Sequence, residues 1–256
     1  MRKYWQFFYI EFLHGFYYRA VILGRVSFYG LLLFIFSRLW LVTAKYNSLF
    51  TAKEMIWYLA LTELIVLSLP LVHVEIEEDV RSGNLAYFLL RPASYLWSRY
   101  FRALGAAFSR LLVMAVAGFA YAWCLVGLLP NSSSLLWFLP LGLLAMMVGT
   151  LFQLIIGLFA FWLQDSSPLY WVWQKLLFIL GGLILPLSIY PVWLQKVSQF
   201  TVFPYLLHFP ATISLRPNPH DIVVCVLALL LWGLLGIFIG NFIFRRACQD
   251  LVINGG

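Results

Sequence analysis

Long apolar stretches, separated by short polar segments, dominate the pattern of the chain. A spanning helix needs about 20 mostly apolar residues, because it has to cross a hydrocarbon core about 30 Å thick. Six stretches meet this requirement: residues 21–43, 55–74, 104–129, 135–163, 170–189 and 222–244. The pattern therefore predicts an all-α integral membrane protein with six transmembrane helices.

The segment that precedes the first of these stretches has a different pattern. Aromatic side chains recur there at spacings of three and four, as on one face of a helix: Trp5, Phe8, Phe12 and Phe16. Glu11 and His14 lie between them and make the segment too polar to span a membrane. We expect an N-terminal amphipathic helix that lies in the membrane interface. The alternative is that these residues only begin a long first span.

Composition and charge further support a membrane protein and indicate its orientation. Of the 256 residues, 63% are hydrophobic and only 11% are charged, whereas about 25% of a soluble domain is charged. Most of the 17 Lys and Arg residues fall at the ends of spans that share the side of the N-terminus. Basic residues mark the cytoplasmic side, so both termini are predicted to be cytoplasmic and no nucleic acid is expected as a partner. Without room for a second unit, residues 1–256 form one predicted domain.

The largest predicted cytoplasmic feature lies between the second and third spans, at residues 73–105. It opens with an acidic cluster at residues 75–79, and a turn signal follows at residues 81–84. Leu85, Phe88 and Leu89 then recur at helical spacing. A short amphipathic helix with an apolar face needs something to dock on. The alternative is a solvated, charge-rich loop.

Several segments of the chain resemble bacterial type-2 ABC exporter permeases. The resemblance is clearest in the loop, at RSGNL (81–85), LLRP (89–92) and SY (94–95). It returns at FW (161–162), at GGLILPL (181–187), at YPVWL (190–194) and at the final GG (255–256). These segments follow the same order along essentially the whole chain.

The resemblance implies a function for the loop and a set of partners. In such permeases the first cytoplasmic loop carries a coupling helix that seats in an ATP-binding subunit, so the ATP and its magnesium are expected in that partner. The implied coupling residues are Arg81, Ser82, Gly83, Asn84, Leu85, Phe88 and Arg91. A second permease subunit, identical or paralogous, and membrane lipids are the other expected partners. The implied setting is the bacterial plasma membrane, and the implied activity is outward transport by alternating access. The aromatic residues, 19% of the chain, would suit a lipid-like or amphipathic substrate, which the sequence does not identify.

The segment at residues 181–220 is apolar but rich in proline, which makes a continuous helix impossible. Broken helices at membrane depth are tolerated only where they are buried in protein or line a cavity. We therefore expect short outer helices, in a re-entrant or interfacial hairpin, between spans five and six. The residues singled out in this outer segment are Gly181, Gly182, Pro186, Pro191 and Trp193. The alternative is a loop that only caps the bundle.

Two charged residues fall inside predicted spans. Arg38 lies near the outer end of the first span and Glu63 near that of the second. Charges at this depth are costly and usually pair or line a wet pathway. Since adjacent antiparallel spans would bring the two residues together, we consider an Arg38–Glu63 pair.

Motifs of catalytic or metal-binding chemistry are absent from the sequence. It contains no GxxxxGK[ST], HExxH or GxSxG, and its four histidines show no ligand spacing. No catalytic residue and no metal site is therefore predicted, and ATP hydrolysis is assigned to a separate subunit. A secondary transporter, which would usually show repeats and interrupted helices in both halves, and a lipid-modifying membrane enzyme remain as alternatives.

Overall fold

A computed structural model describes residues 2–43, 50–89, 93–127 and 132–254 of the chain. Throughout these ranges the regular structure is helical and no strand is present. The helices are α1 (Arg2–His14), α2 (Arg19–Thr43), α3 (Ala52–Ser68), α4 (Val72–Arg81), α5 (Asn84–Leu89), α6 (Tyr95–Val126), α7 (Phe138–Leu158), α8 (Ala160–Leu163), α9 (Ser167–Leu180), α10 (Val192–Gln199), α11 (Phe203–Leu206), α12 (His208–Leu215) and α13 (Pro219–Asn254). Single 3-10 turns precede α7 at Ser132–Trp137 and α10 at Leu187–Ile189.

Within the described part of the chain, five helical stretches are long and apolar enough to cross a membrane. They are Arg19–Val42, Ala52–Arg81, Tyr95–Val126, Ser134–Leu163 and Pro219–Gln249. An all-helical, multi-pass membrane protein is thereby confirmed. The prediction of six spans is not confirmed. The orientation of the bundle stays a prediction.

The missing span is the predicted fifth one, at residues 170–189. Helix α9 has 14 residues, which makes it about 21 Å long and too short for a hydrocarbon core of about 30 Å. It ends at Leu180 because Gly182 adopts a positive φ of 66°, which a helix does not allow. The hydrophobic pattern continues past this point, but the helix does not.

Helix α3 forms the centre of the bundle. Every side chain from Met55 to Ile65 is buried, and Trp57 and Tyr58 have no exposed surface. The helices α2, α6, α7 and α12 all contact α3. By contrast, α2 and α13 lie at the periphery and expose most of their apolar side chains, as suits helices that face lipid or another protein.

The second and third spans have different limits from those that hydropathy predicts. Pro70 interrupts the chain after α3, but helix α4 then continues to Arg81, so residues 73–81 are not a loop. Likewise, α6 begins at Tyr95 rather than near residue 104. In both cases the polar side chains of the helix find partners within the protein, so the helix extends beyond its apolar part.

The N-terminal segment forms a helix of its own, and a turn separates it from α2. Helix α1 runs along the first half of α6, and the rings of Phe8 and Phe12 pack against Phe108 at centroid distances of 6.1 and 5.7 Å. On its other side, Trp5 and Ile10 are exposed. This two-sided distribution suits a helix at a membrane surface, and that location stays a prediction.

Hydrogen bonds and ion pairs define the two ends of the bundle. At the end that we call the α5 end, the backbone N–H of Ser94 donates to the hydroxyl of Tyr4 at 3.1 Å. At the opposite α12 end, the indole N–H of Trp57 donates to the carbonyl oxygen of Gly127 at 3.2 Å. Arg216 forms an ion pair with Glu54 at 2.7 Å at the same end.

We expect Gly105→Ala to loosen α1 from the bundle. A Cβ at this position would overlap the carbonyl oxygen of Phe8 in the backbone of α1, so the two helices would have to separate. The matched control is Gly24→Ala, because nothing lies within 4 Å of a Cβ there. Thermal unfolding in detergent should show a lower midpoint for Gly105→Ala and an equal or higher one for Gly24→Ala. Equal midpoints for Gly105→Ala and the wild type would contradict the close packing of α1.

Candidate functional site

The acidic cluster of residues 75–79 lies on helix α4, and two of its four carboxylates face the protein. Glu77 and Asp79 are 7% and 6% exposed, whereas Glu78 is exposed. Buried carboxylates are costly unless they are paired or hydrogen-bonded. The partners of these two side chains therefore decide how α4 connects to the elements around it.

Asp79 joins α4 to the beginning of α6. Its carboxylate accepts a hydrogen bond from the Tyr95 hydroxyl at 2.7 Å and forms an ion pair with the Arg99 guanidinium. Arg99 also reaches Glu75, at 3.1 Å. Since Tyr95 and Arg99 lie one turn apart on α6, this cluster fixes both the register and the angle between the two helices.

Glu77 joins α4 to the beginning of α9. Its Oε1 accepts from the backbone N–H of Ser166 at 2.7 Å and from the Ser166 hydroxyl at 2.6 Å. The first N–H groups of a helix lack partners within the helix, and a carboxylate there also interacts favourably with the helix dipole. One turn further along, Arg81 Nε donates to the carbonyl oxygen of Gln164 at 3.0 Å. Helix α4 thus holds the turn that leads into α9.

Helix α5 follows α4 through a single turn and is packed against this network. Gly83 has a φ of 72° and ends α4. Leu85 is buried, and the Phe88 ring lies 5.2 Å from the Arg99 guanidinium and 5.9 Å from the Tyr95 ring. The apolar side of α5 therefore docks within the chain itself.

The opposite side of α5 points away from the protein. Residues 81–84 are exposed, and so is the Tyr87 side chain, at 70%. Of the coupling residues implied by the resemblance, the structure brings together six, from Arg81 to Phe88, while Arg91 lies outside the described residues. Their role in coupling stays a prediction. Tyr87 was missed because sequence spacing drew attention to the apolar face, which turns out to be internal.

The outer segment returns against the middle of α3. The Tyr58 hydroxyl donates to the carbonyl oxygen of Gly182, and the Thr62 hydroxyl donates to that of Leu183 at 2.7 Å. These carbonyls follow directly on the end of α9 and have no partner within a helix. Donors from α3 therefore allow a broken helix to persist inside the bundle.

The remaining residues of the outer segment lie on either side of this contact. Pro186 is buried and precedes a 3-10 turn, whose Leu187 N–H donates to Nδ1 of His208 at 3.3 Å. Pro191 begins α10, and Trp193 on that helix is 66% exposed. Gly181 and Gly182 are buried, so the segment combines an internal turn with an exposed amphipathic helix.

The structure does not bring Arg38 and Glu63 together. The guanidinium of Arg38 is exposed and lies 5.1 Å from the centroid of the Phe34 ring on its own helix. Glu63 is 5% exposed on α3. The ion pairs among the described residues do not include one between them, because Arg38 lies on the outward face of α2 rather than on the face that contacts α3.

A metal site finds no support in the geometry either. Throughout the described ranges, no group of three or more His, Cys, Asp and Glu side chains is placed to hold a metal ion. The candidate site that the described residues offer is a surface, formed by α5 and supported by the α4–α6 network.

We expect Asp79→Asn to destabilise the protein by about 2 kcal/mol, because it removes the buried one of the two carboxylates that pair with Arg99 and leaves only the half-exposed Glu75. Glu78→Gln, one residue away on the exposed side of α4, is the control and should behave like the wild type. Thermal unfolding of both variants in detergent measures the difference. If they unfolded at the same temperature, the network would contribute nothing to the fold.

We also expect the stability of the protein to decrease between pH 7 and pH 5.5 through His208. Burial lowers the pKa of His208 to about 4, whereas a histidine in the unfolded chain has a pKa of about 6.5. The unfolded state therefore binds more protons in this range, and stability is lost as the pH falls. In His208→Asn the unfolding midpoint should depend less on pH. An equally steep dependence in this variant would assign the effect to other groups.

The comparisons with known proteins agree with this architecture. A family model described as "ABC-2 family transporter protein" matches residues 19–255. A comparison with curated proteins finds no match. The family match covers nearly the whole chain, from α2 to the end of α13, and it agrees with the several membrane-spanning helices. The chain therefore belongs to the ABC-2 family of transporter proteins and is a multi-pass membrane permease of that type.

Proposed function

We propose that this protein is the permease subunit of an ATP-driven exporter and that the exposed side of α5 is its docking surface for a cytoplasmic ATP-binding subunit. The observation that carries the proposal is the construction of α5. One side is anchored through Leu85 and Phe88, while Tyr87 and residues 81–84 are exposed. Family membership supports an ATP-binding partner, which supplies the nucleotide and its magnesium.

The contacts beneath α5 provide a route by which force on this surface would reach the spans. Phe88 rests on Tyr95 and Arg99 at the beginning of α6. Arg99 is tied to α4 through Asp79, and α4 is tied to α9 through Glu77. A push on α5 would therefore move α4, α6 and the beginning of α9 together. In our proposal, rigid-body motion of these helices produces alternating access.

At the other end of this group, α9 leads into the outer segment. Because Tyr58 and Thr62 hold the turn after α9, motion of α9 against α3 would rearrange this turn. We propose that the outer segment shapes the exit of the transported molecule. The exposed apolar residues of α10, which include Val192 and Trp193, favour a lipid-like or amphipathic substrate that leaves along the membrane surface.

The proposed assembly contains two permease subunits, identical or paralogous, in a bacterial plasma membrane. The five long helices found in the described part of the chain are few for a complete translocation path, and the peripheral helices α2 and α13 expose extensive apolar faces. In this arrangement both termini and α5 are cytoplasmic. The positions of the basic residues support that orientation.

Truncation of the exposed side of α5 should uncouple the subunits without unfolding the permease. We expect Tyr87→Ala to reduce the amount of ATP-binding subunit that co-purifies from native membranes, since exposed tyrosines at interface centres often contribute 1 kcal/mol or more, or about fivefold in affinity. The control is Trp193→Ala, an equally exposed aromatic residue near the opposite end of the bundle. Quantitative mass spectrometry of the tagged complex measures the ratio of the subunits.

Two outcomes would overturn the proposal. One is purification of the wild-type permease without any ATP-binding subunit. The other is an equal ratio of subunits in Tyr87→Ala and in the wild type. Unfolding midpoints of the two variants, measured in parallel, separate a lost interface from a lost fold.

A further inference from the structure

A polar cavity of about 380 Å³ lies between α1, α2, α4 and α6, outside the docking surface of α5. Charged side chains of both signs line it. The basic ones are Arg25, Arg99, Arg102 and Arg110, and the acidic ones are Glu11, Glu75, Glu78 and Asp79. The cavity is thus electrically balanced as a whole, although its charges are not all paired with one another.

Among the described residues, three of these arginines, Arg25, Arg102 and Arg110, form no ion pair with a carboxylate, and Arg102 lies instead over the Phe7 ring, 5.0 Å from its centroid. Arg99 is neutralised by Glu75 and Asp79. In contrast, the ion pairs of the described residues include neither Arg25 nor Arg110, and Arg110 donates only to the carbonyl oxygen of Leu69, at 3.4 Å. Both are partly buried, and two like charges in a half-buried cavity are costly without an anion. Arginine is also the side chain best suited to bind a phosphate group.

An apolar groove of about 630 Å³ adjoins the polar cavity on the same pair of helices, α2 and α6. Val113 lines both spaces. Along α6 the cavity covers residues 99–114, and the groove covers residues 112–121, further from the α5 end. Polar and apolar surfaces therefore follow each other along the bundle in the order of a lipid headgroup and its acyl chain.

From this arrangement we infer a binding site for a phospholipid with a zwitterionic, amine-bearing headgroup. The phosphate diester lies between Arg25 and Arg110, and one acyl chain follows the groove past Val113 and Ala117. The ammonium group is placed towards the carboxylates of the lining, of which Glu78 forms no ion pair within the described residues. A neutral zwitterion matches the balanced lining better than an anionic headgroup does. This inference does not depend on coupling to an ATPase.

Native mass spectrometry of the delipidated full chain in mild detergent tests the site. The chain is titrated with phosphatidylethanolamine, phosphatidylglycerol or diacylglycerol, the last of which lacks the phosphate. We expect one phosphatidylethanolamine per chain to remain bound when the complex enters the gas phase. We also expect it to bind more tightly than either of the other two lipids. Equal binding of diacylglycerol would overturn the phosphate site, and tighter binding of phosphatidylglycerol would overturn the zwitterionic headgroup.

Variants locate the site on the protein. Arg25→Gln and Arg110→Gln should each weaken binding about tenfold or more, since each removes charge-assisted hydrogen bonds to the phosphate. Arg38→Gln, an exposed arginine on α2 outside the cavity, is the control and should bind like the wild type. If both cavity variants also bound like the wild type, the inference would be wrong.

A second pair of variants keeps all charges and tests the groove. Ala117→Trp fills the groove and should weaken binding to a similar degree, whereas Leu234→Trp, on the exposed face of α13, should leave it unchanged. Because both tryptophan variants keep the arginines, they test the lipid site even if Arg25→Gln and Arg110→Gln are unstable. Equal binding by the two tryptophan variants would exclude the groove as the site of the acyl chain.

Discussion

Two buried carboxylates on α4 determine the arrangement of the α5 end of the bundle. Asp79 and Glu77 can be buried only because Arg99, Tyr95 and Ser166 satisfy them. As a result, one short helix sets the positions of α6 and α9. The position of α5 depends in turn on α4, through the turn at Gly83, and on α6, through the packing of Phe88. A partner that binds α5 would therefore act on a rigid group of helices rather than on a flexible loop.

The lipid environment imposes a different constraint at the middle of the bundle. Backbone groups that are freed inside a membrane need partners, so most chains cross as uninterrupted helices. Here α9 stops at Leu180, and the hydroxyls of Tyr58 and Thr62 donate hydrogen bonds to the buried carbonyl oxygens of Gly182 and Leu183. Helix α3, the most buried of the long helices, thus both forms the core and supports the broken segment. The same support would make this turn responsive to movement of α9.

The two ends of the bundle offer different surfaces to different partners. At the α5 end, polar and aromatic groups surround α5 and a balanced cavity lies nearby, whereas α10 presents exposed apolar side chains after the turn at residues 181–182. This division agrees with a permease that receives mechanical work at one end and releases an amphipathic molecule near the other. In our proposal, the cavity and groove between α2 and α6 would hold a phospholipid.

By itself, the sequence determined the membrane location, the helical class and the family, because these depend on composition, on the length of apolar stretches and on local motifs. It also located the turn at Gly83, but it placed the end of the fifth apolar stretch at residue 189, past the break that the structure shows at Gly181 and Gly182. Only the tertiary structure decided that Glu77 and Asp79 of α4 bind groups within the protein, that the apolar side of α5 is buried while Tyr87 is exposed, and that Arg38 does not meet Glu63. Each of these depends on which face of a helix meets a distant helix, and hydropathy records how apolar a segment is but not which neighbour will satisfy its polar groups.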